Sequence, residues 1–167
     1  MQRRALALLL LGLFTAAWPA AAQQSAPSLP PYLRQDLYPK WIDAAAQVKW
    51  PPNNGCAAVP ASETLPVGTL IDRFGSEGGS FFSPKGESFA ARAVPYVCSQ
   101  LAYTIYRVTK PLHVSACKAA PWFDEPGGAM QFQTDQPAYK LREGGMIEVV
   151  TSDSSGNGKP VSLCGSP

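Results

Sequence analysis

The chain has 167 residues, of which 46% are hydrophobic, and its formal net charge is +2. This length suits one domain with a single core, and charges of mixed sign without a basic stripe argue against a nucleic-acid partner. Residues 1–22 place Arg3 and Arg4 before an apolar block and end in three alanines. This pattern predicts a secretory signal peptide, cleaved after Ala22. No later segment reaches the roughly 18 apolar residues of a membrane span, so we expect a secreted or periplasmic protein.

The next residues change from extended chain to a helical pattern. Residues 23–39 are rich in proline and polar side chains, which indicates a linker or clasp. In residues 40–49, Trp41, Ala44 and Val48 recur at helical spacing, and the Trp-Pro-Pro that follows ends the pattern. We therefore predict a short amphipathic helix there.

From Thr69 onward the sequence is typical of short strands separated by turns. Five β-branched or aromatic runs predict strands at residues 69–74, 80–83, 103–108, 130–132 and 146–150. Short helices are predicted at 88–93 and 136–142, where Pro95 and Gly144-Gly145 end them. The fold class is therefore α+β, with a small, mostly antiparallel β-sheet core. We predict that residues 152–167 are a C-terminal tail, which Cys164 ties back to the domain.

Four cysteines follow the predicted signal peptide: Cys56, Cys98, Cys117 and Cys164. An even number in an exported chain favours two disulfides, and their wide spacing lacks the paired cysteines of a zinc site. Three pairings are open. We favour Cys56 with Cys98 and Cys117 with Cys164, because sequence neighbours close the shorter loops. No metal and no cofactor are predicted.

Several familiar chemistries are absent from this sequence. The one histidine, His113, lies in the segment KPLHVS, which contains no Asp or Cys, and is assigned a structural role. There is no dinucleotide-binding G-x-G-x-x-G, no P-loop and no recognisable carboxylate pair of a glycosidase. The chain thus offers arginines, aromatic rings and amides as its functional groups.

Residues 69–96 concentrate those groups around a glycine-rich turn. Arg73 and Arg92 flank the turn, and two planar guanidinium groups are suited to holding a pyrophosphate. Phe74, Phe81 and Phe82 are suited to stacking on a flat ring. On these residues alone the alternative stays open that the arginines form salt bridges with nearby acids and the rings fill the core.

A longer series of motifs resembles a known family. In order, they are TLIDRFGS with GSFFSPKG, then ARAVP, then YTIYRVTKPL, then APWFDEPGGAMQF and a final REGGMIEV. The series is similar to the TNT domain, the NAD glycohydrolase module of the tuberculosis necrotizing toxin and of secreted fungal NADases. The preceding WPPNNGC resembles the segment that leads into that domain. The resemblance covers residues 50–151.

The resemblance implies an enzyme that cleaves NAD+ at the nicotinamide–ribose bond and releases nicotinamide and ADP-ribose. NAD+ is then the substrate rather than a cofactor. By position, Gln131 matches the essential site residue, and Arg73 and Arg92 match residues that hold the phosphates and orient the ribose. Phe74 and Phe81 match walls of the nicotinamide pocket. We assign catalytic roles to Gln131 and Arg73 and substrate binding to the other three.

The sequence departs from the family pattern at two places, and these departures leave alternative functions open. Many relatives have a histidine where this chain has Thr104, and Gly-Gln where it has Asp124-Glu125. Glu125 either faces the site or, as we favour, is a solvated loop residue. The alternative functions are ADP-ribosyl transfer and a degenerate module that binds without turnover. Bacterial toxins of this family are often paired with an immunity or inhibitor protein, so such a partner is kept open.

Overall fold

The computed structural model describes residues 29–153 and 161–165, so the signal peptide predicted at 1–22 and most of the tail lie outside the described residues. Seven strands form one sheet in the order β1-β5-β6-β3-β2-β4-β7, and the neighbours pair antiparallel. They are β1 Ala61–Leu65, β2 Leu70–Phe74, β3 Phe81–Pro84, β4 Tyr103–Val108, β5 Leu112–Lys118, β6 Met130–Gln133 and β7 Ile147–Asp153. Two short helices, α1 Ala138–Glu143 and α2 Val161–Cys164, accompany the sheet. The predicted fold class is confirmed.

The main core lies on one face of the sheet. Strand β5 shows why, because its residues alternate between buried and exposed from Leu112 to Ala116, as a strand with one solvated face requires. Phe82, Tyr106 and Ile147 are almost completely buried on the core side. Helix α1 covers this core with Ala138 and Leu141.

The five predicted strands are confirmed within a few residues, and β7 continues to Asp153. The prediction missed β1 and β5. Strand β1 reads ASETL and is exposed except at Leu65, so it lacks the apolar alternation by which a strand is recognised. The second predicted helix is α1, whereas the first is a single 3-10 turn, Ala90–Arg92.

The helix predicted at residues 40–49 is wrong. Ile42 forms an antiparallel bridge with Val48, and the chain turns between them. The Asp43 carboxylate accepts hydrogen bonds from the backbone N–H groups of Ala45 and Gln47, both at 2.9 Å. Such local side-chain bonds give the backbone an alternative to helix, and here they stabilise the turn.

Residues 29–50, which we call the clasp, pack against the loop that follows β5. Leu33, Leu37 and Ile42 are buried in a second apolar cluster with Phe123. Trp122 Nε1 donates a hydrogen bond to the backbone oxygen of Lys49 at 2.9 Å. The clasp is therefore a packed part of the described structure. No helix among the described residues has the length and apolarity that crossing a membrane would require.

Two disulfides are present, but the predicted pairing is wrong. The bonds join Cys56 to Cys117 and Cys98 to Cys164, and they span 61 and 66 residues. The sheet overrides the preference for short loops, because the segment at Cys56 runs antiparallel to the end of β5 and bridges Ala119. The Cys98–Cys164 bond ties α2 to the 3-10 turn before β4, as expected for the role of Cys164.

Candidate functional site

A cavity of about 480 Å³ opens at the ends of β2, β3 and β6, three neighbouring strands of the sheet. All five site residues predicted from the sequence line it: Arg73, Phe74, Phe81, Arg92 and Gln131. Its volume lies within the range typical of small-molecule sites. The structure therefore brings the predicted residues together, while their individual roles stay predictions.

Arg73 is a buried cation at the wall of this cavity. Its relative exposure is only 8%, and none of the ion pairs among the described residues includes it. Nη1 donates to the backbone oxygen of Phe81 at 3.0 Å, while the buried Nε has no hydrogen-bond partner. Burial lowers the pKa of Arg73, since removal from water disfavours the charged form. A buried guanidinium without a carboxylate is costly, and an anion in the cavity would relieve that cost.

Gly79 packs directly against the Arg73 guanidinium. A Cβ placed on this glycine would lie 2.2 Å from Nη2 and 2.5 Å from Nη1. Any side chain at this position would therefore collide with the guanidinium, so the glycine permits its present location.

Arg92, in contrast, already has an anionic partner. Its Nη2 lies 2.6 Å from Oδ1 of the fully buried Asp72 and donates to the backbone oxygen of Glu87 at 2.9 Å. The guanidinium lies over the Phe74 ring, 4.8 Å from its centroid, at a distance typical of a cation–π contact. The alternative that the arginines form salt bridges with nearby acids is therefore correct for Arg92, whose pair is buried, and wrong for Arg73.

Asp72 is the centre of a small buried network. Besides Arg92, it accepts hydrogen bonds from the Tyr103 hydroxyl at 2.7 Å and from the Gly86 N–H at 2.8 Å. Burial, and then the hydrogen bond to Asp72, raises the pKa of Tyr103, so this hydroxyl stays protonated and donating. The network fixes Arg92 and Phe74 at the cavity.

Replacing Asp72 with asparagine should lower the free energy of unfolding by about 2 kcal/mol. An amide keeps the shape but loses the charge that pairs with Arg92, and hydrogen bonds to charged groups contribute about 1.5–3 kcal/mol. Urea unfolding of the wild type and Asp72→Asn measures this, with the exposed Asp135→Asn as the control. Equal losses of stability in both variants would contradict the network.

Gln131 has its amide orientation set by its surroundings. Nε2 donates to the backbone oxygen of Asn54 at 3.0 Å, which assigns the nitrogen to that side. The residue lies on β6 opposite Cys117 of β5, and both sulfurs of the Cys56–Cys117 disulfide lie within 3.9 Å of Nε2. The carbonyl oxygen is left to act as an acceptor at the cavity wall.

Phe81 and Phe82 both line the cavity, but only Phe82 also belongs to the buried core. Phe81 is 40% exposed and Phe82 only 2%, because successive residues of a strand face opposite sides. Trp50 and Tyr96 also line the cavity and were missed as site residues. Trp50 lies in the WPPNNGC segment, and that motif was the available signal for it.

The positions where the sequence departs from the family pattern do not line the cavity, although Thr104 of β4 pairs directly with Arg73 of β2. Thr104 is buried on β4, and its hydroxyl lies 3.2 Å from Oγ of Ser152. Asp124 pairs with Lys40 and accepts from Trp41 Nε1, and Glu125 pairs with Arg34. Both acids therefore bind the clasp, so Glu125 is a loop residue as favoured, although it is ion-paired rather than simply solvated.

His113 and the acidic residues offer no second site in the described structure. His113 is exposed, and its Nδ1 lies 2.9 Å from the hydroxyl of Thr64, in agreement with a structural role. Within the ranges 29–153 and 161–165, His, Cys, Asp and Glu form no group of three or more that could hold a metal ion. That the protein binds no metal stays a prediction.

Comparison with known proteins agrees with this architecture. The chain is 39% identical over 113 residues to the conidial surface nicotinamide adenine dinucleotide glycohydrolase of Aspergillus fumigatus. The match covers 59% of this chain and 47% of that protein, so the chain spans about half the length of this curated relative. The solved structure of tuberculosis necrotizing toxin with its immunity factor superposes with a TM-score of 0.53 at 18% identity, over 64% of this chain and 65% of that one. The model of the tuberculosis necrotizing toxin family matches residues 64–150, more than half of the sequence, and the chain therefore belongs to that family.

Proposed function

We propose that this protein is an NAD glycohydrolase, which hydrolyses the nicotinamide–ribose bond of NAD+ to give nicotinamide and ADP-ribose. Family membership and the glycohydrolase relative support this proposal. The observation that carries it is the pairing, in one cavity, of a buried and unpaired cation, Arg73, with the oriented amide of Gln131. A substrate with a diphosphate and a cationic ring meets both requirements.

Arg73 binds the diphosphate in this proposal. The buried guanidinium still offers N–H groups beyond the one that Phe81 uses, and a phosphate would replace the missing carboxylate. Arg92 has fewer N–H groups free for a phosphate, because it already pairs with Asp72. Its contribution to substrate binding is to hold the Phe74 ring through the cation–π contact. Phe74 and Phe81 form walls for the nicotinamide ring.

The chemistry needs no general acid. When the C1′–N bond breaks, its electron pair goes to the pyridinium nitrogen, so nicotinamide leaves as a neutral molecule. The ribose becomes an oxocarbenium-like cation, water adds to C1′, and the proton passes to solvent. Gln131 Oε1 accepts a hydrogen bond from a ribose hydroxyl or from the attacking water, while Arg73 holds the diphosphate in place. Positioning of this kind can lower a barrier by several kcal/mol.

We infer that the protein works outside the cytoplasm. Two disulfides are typical of exported chains, and the predicted signal peptide at 1–22 agrees with this. An immunity or inhibitor protein is proposed as a partner only by analogy with the toxin that was solved with its immunity factor. Co-purification of a protein that binds this chain and abolishes its nicotinamide release would test that partner.

ADP-ribosyl transfer and binding without turnover are two alternative functions that the same cavity could serve. One assay distinguishes both of them from hydrolysis. Purified protein is incubated with NAD+, and nicotinamide, ADP-ribose and labelled macromolecules are quantified. Free ADP-ribose equal to nicotinamide supports hydrolysis, whereas label on a macromolecule supports ADP-ribosyl transfer. Binding of NAD+ without nicotinamide release would leave a degenerate binding module and overturn the proposed activity.

The turnover rate should vary less than about twofold between about pH 6 and pH 8. No histidine or carboxylate among the described residues lines the cavity. Burial raises the pKa of Tyr96, so its hydroxyl stays protonated as pH rises through this range. Steady-state nicotinamide release across pH measures this, and a step with an apparent pKa near 6.5 would contradict it.

A further inference from the structure

The Cys56–Cys117 disulfide touches the side chain to which the proposed function assigns catalysis. Cys117 and Gln131 are directly opposite each other in the β5–β6 pair, so their side chains leave the sheet on the same face. Gln131 Nε2 lies 3.8 Å from Sγ of Cys117 and 3.9 Å from Sγ of Cys56. Sulfur is only a weak acceptor, so the disulfide contributes mainly as a rigid neighbour.

The strong partner of Gln131 lies on the turn that this disulfide anchors. Residues 53–55 form a 3-10 turn with positive φ at all three positions: 53° at Asn53, 53° at Asn54 and 83° at Gly55. A left-handed backbone at two asparagines is uncommon and requires support from its surroundings. The support includes Ala120 N–H donating to the Gly55 oxygen at 2.7 Å and the covalent bond at Cys56, one residue beyond the turn.

We propose that the Cys56–Cys117 disulfide is a positioning element for Gln131, which holds the Asn54 carbonyl against Nε2 and thereby directs Oε1 to the reacting ribose. The proposal rests on the proposed function and adds residues to its site that no comparison assigns. A second link supports it, because the Asn54 side chain donates from Nδ2 to Oε1 of Gln133 at 3.1 Å. The turn is thus tied both to β5 and to β6.

Loss of this disulfide should affect the chemical step rather than substrate binding. The terminal torsion of a glutamine is broad, so an amide without its fixed partner samples many orientations. The phosphate contact lies at Arg73 on β2, which the disulfide does not touch, so the affinity for NAD+ should persist. Misplacement of a positioned group by about 1 Å can lower the rate by about 100-fold.

The two disulfides provide a matched comparison. The Cys56→Ser/Cys117→Ser and Cys98→Ser/Cys164→Ser double variants open loops of similar length, 61 and 66 residues, so their losses of stability should be similar. Nicotinamide release is measured for both well below their melting temperatures. We expect kcat of the first variant to fall about 10- to 100-fold with KM within about threefold of wild type, and kcat of the second to stay within about threefold. Equal falls in kcat, or a first variant that changes only KM, would overturn the proposal.

A variant that keeps the disulfide covers the case in which the first double variant fails to fold. Asn54→Gly suits the left-handed backbone, removes the bond to Gln133 and loosens the turn, so kcat should fall while KM is retained. The side-chain amide of Gln131, assigned in NMR spectra by its loss in Gln131→Ala, gives a readout independent of turnover. Slow exchange with solvent in wild type and fast exchange in either variant support positioning, and unchanged exchange contradicts it. If the wild type releases no nicotinamide, the proposed glycohydrolase function is wrong. The exchange measurement still tests whether the disulfide positions Gln131.

Discussion

Substitution of Gln131 by alanine is expected to lower kcat for NAD+ hydrolysis at least about 100-fold, with a melting temperature near that of wild type. The amide acts mainly where charge develops on the ribose, so its loss removes stabilisation of the transition state rather than of the fold. Its side chain is only partly buried and makes one normal hydrogen bond, to Asn54. Steady-state nicotinamide release and thermal melts of the two proteins measure the two effects.

Gln47→Ala is the matched control, since it removes an exposed glutamine from the clasp, outside the cavity. It should keep full turnover. A Gln131→Ala protein as active as this control would remove Gln131 from the site. A loss of activity that follows a large drop in melting temperature would instead assign Gln131 a role in folding.

Much of the sheet was predictable because its strands carry local signals. Runs such as LIDRF and YTIYRV combine β-branched and aromatic residues between turn residues, and they are β2 and β4. Strand β1 has no such signal, since its exposed ASETL becomes a strand by pairing with β5. The disulfide pairing depends likewise on which distant segments pair in the sheet, and loop length alone does not predict that. The residues near Trp41 show the reverse error, because Trp41 packs against Trp122 and Phe123 while Ala44, which completed the helical spacing, is exposed.

The candidate site was predictable as a set of residues but not as a set of interactions. The motifs identified the five side chains that line the cavity, while the distinction between the arginines depends on three-dimensional contacts. Asp72 precedes Arg73 in sequence, yet it pairs with Arg92, because neighbouring residues of a strand face opposite ways. The orientation of Gln131 depends likewise on a turn 77 residues away, which no local pattern connects to it.

Arg73→Lys is expected to lower kcat/KM at least about 100-fold, which corresponds to about 2.7 kcal/mol, although the charge is conserved. A guanidinium presents parallel N–H groups to two phosphate oxygens, whereas an ammonium is a single point charge on a flexible stem. Arg73 also donates to the Phe81 oxygen, and lysine cannot serve that oxygen and the diphosphate with the same geometry. Steady-state kinetics with NAD+ measure the loss, and thermal melts show whether the fold is kept.

Two adjacent glycines test the same guanidinium without changing it. In Gly79→Ala the new Cβ would lie 2.2 Å from Nη2 of Arg73, so the guanidinium must move, whereas in Gly78→Ala the new Cβ would lie at an ordinary 3.5 Å from Ser76 Oγ. Neither glycine has a positive φ, so both accept alanine without backbone strain. Displacement of a flexible side-chain end should leave the fold intact but separate the cation from the diphosphate. We therefore expect kcat/KM to fall at least about tenfold in Gly79→Ala and to stay near wild type in Gly78→Ala. Full activity in both Gly79→Ala and Arg73→Lys would show that the buried cation does not hold the substrate.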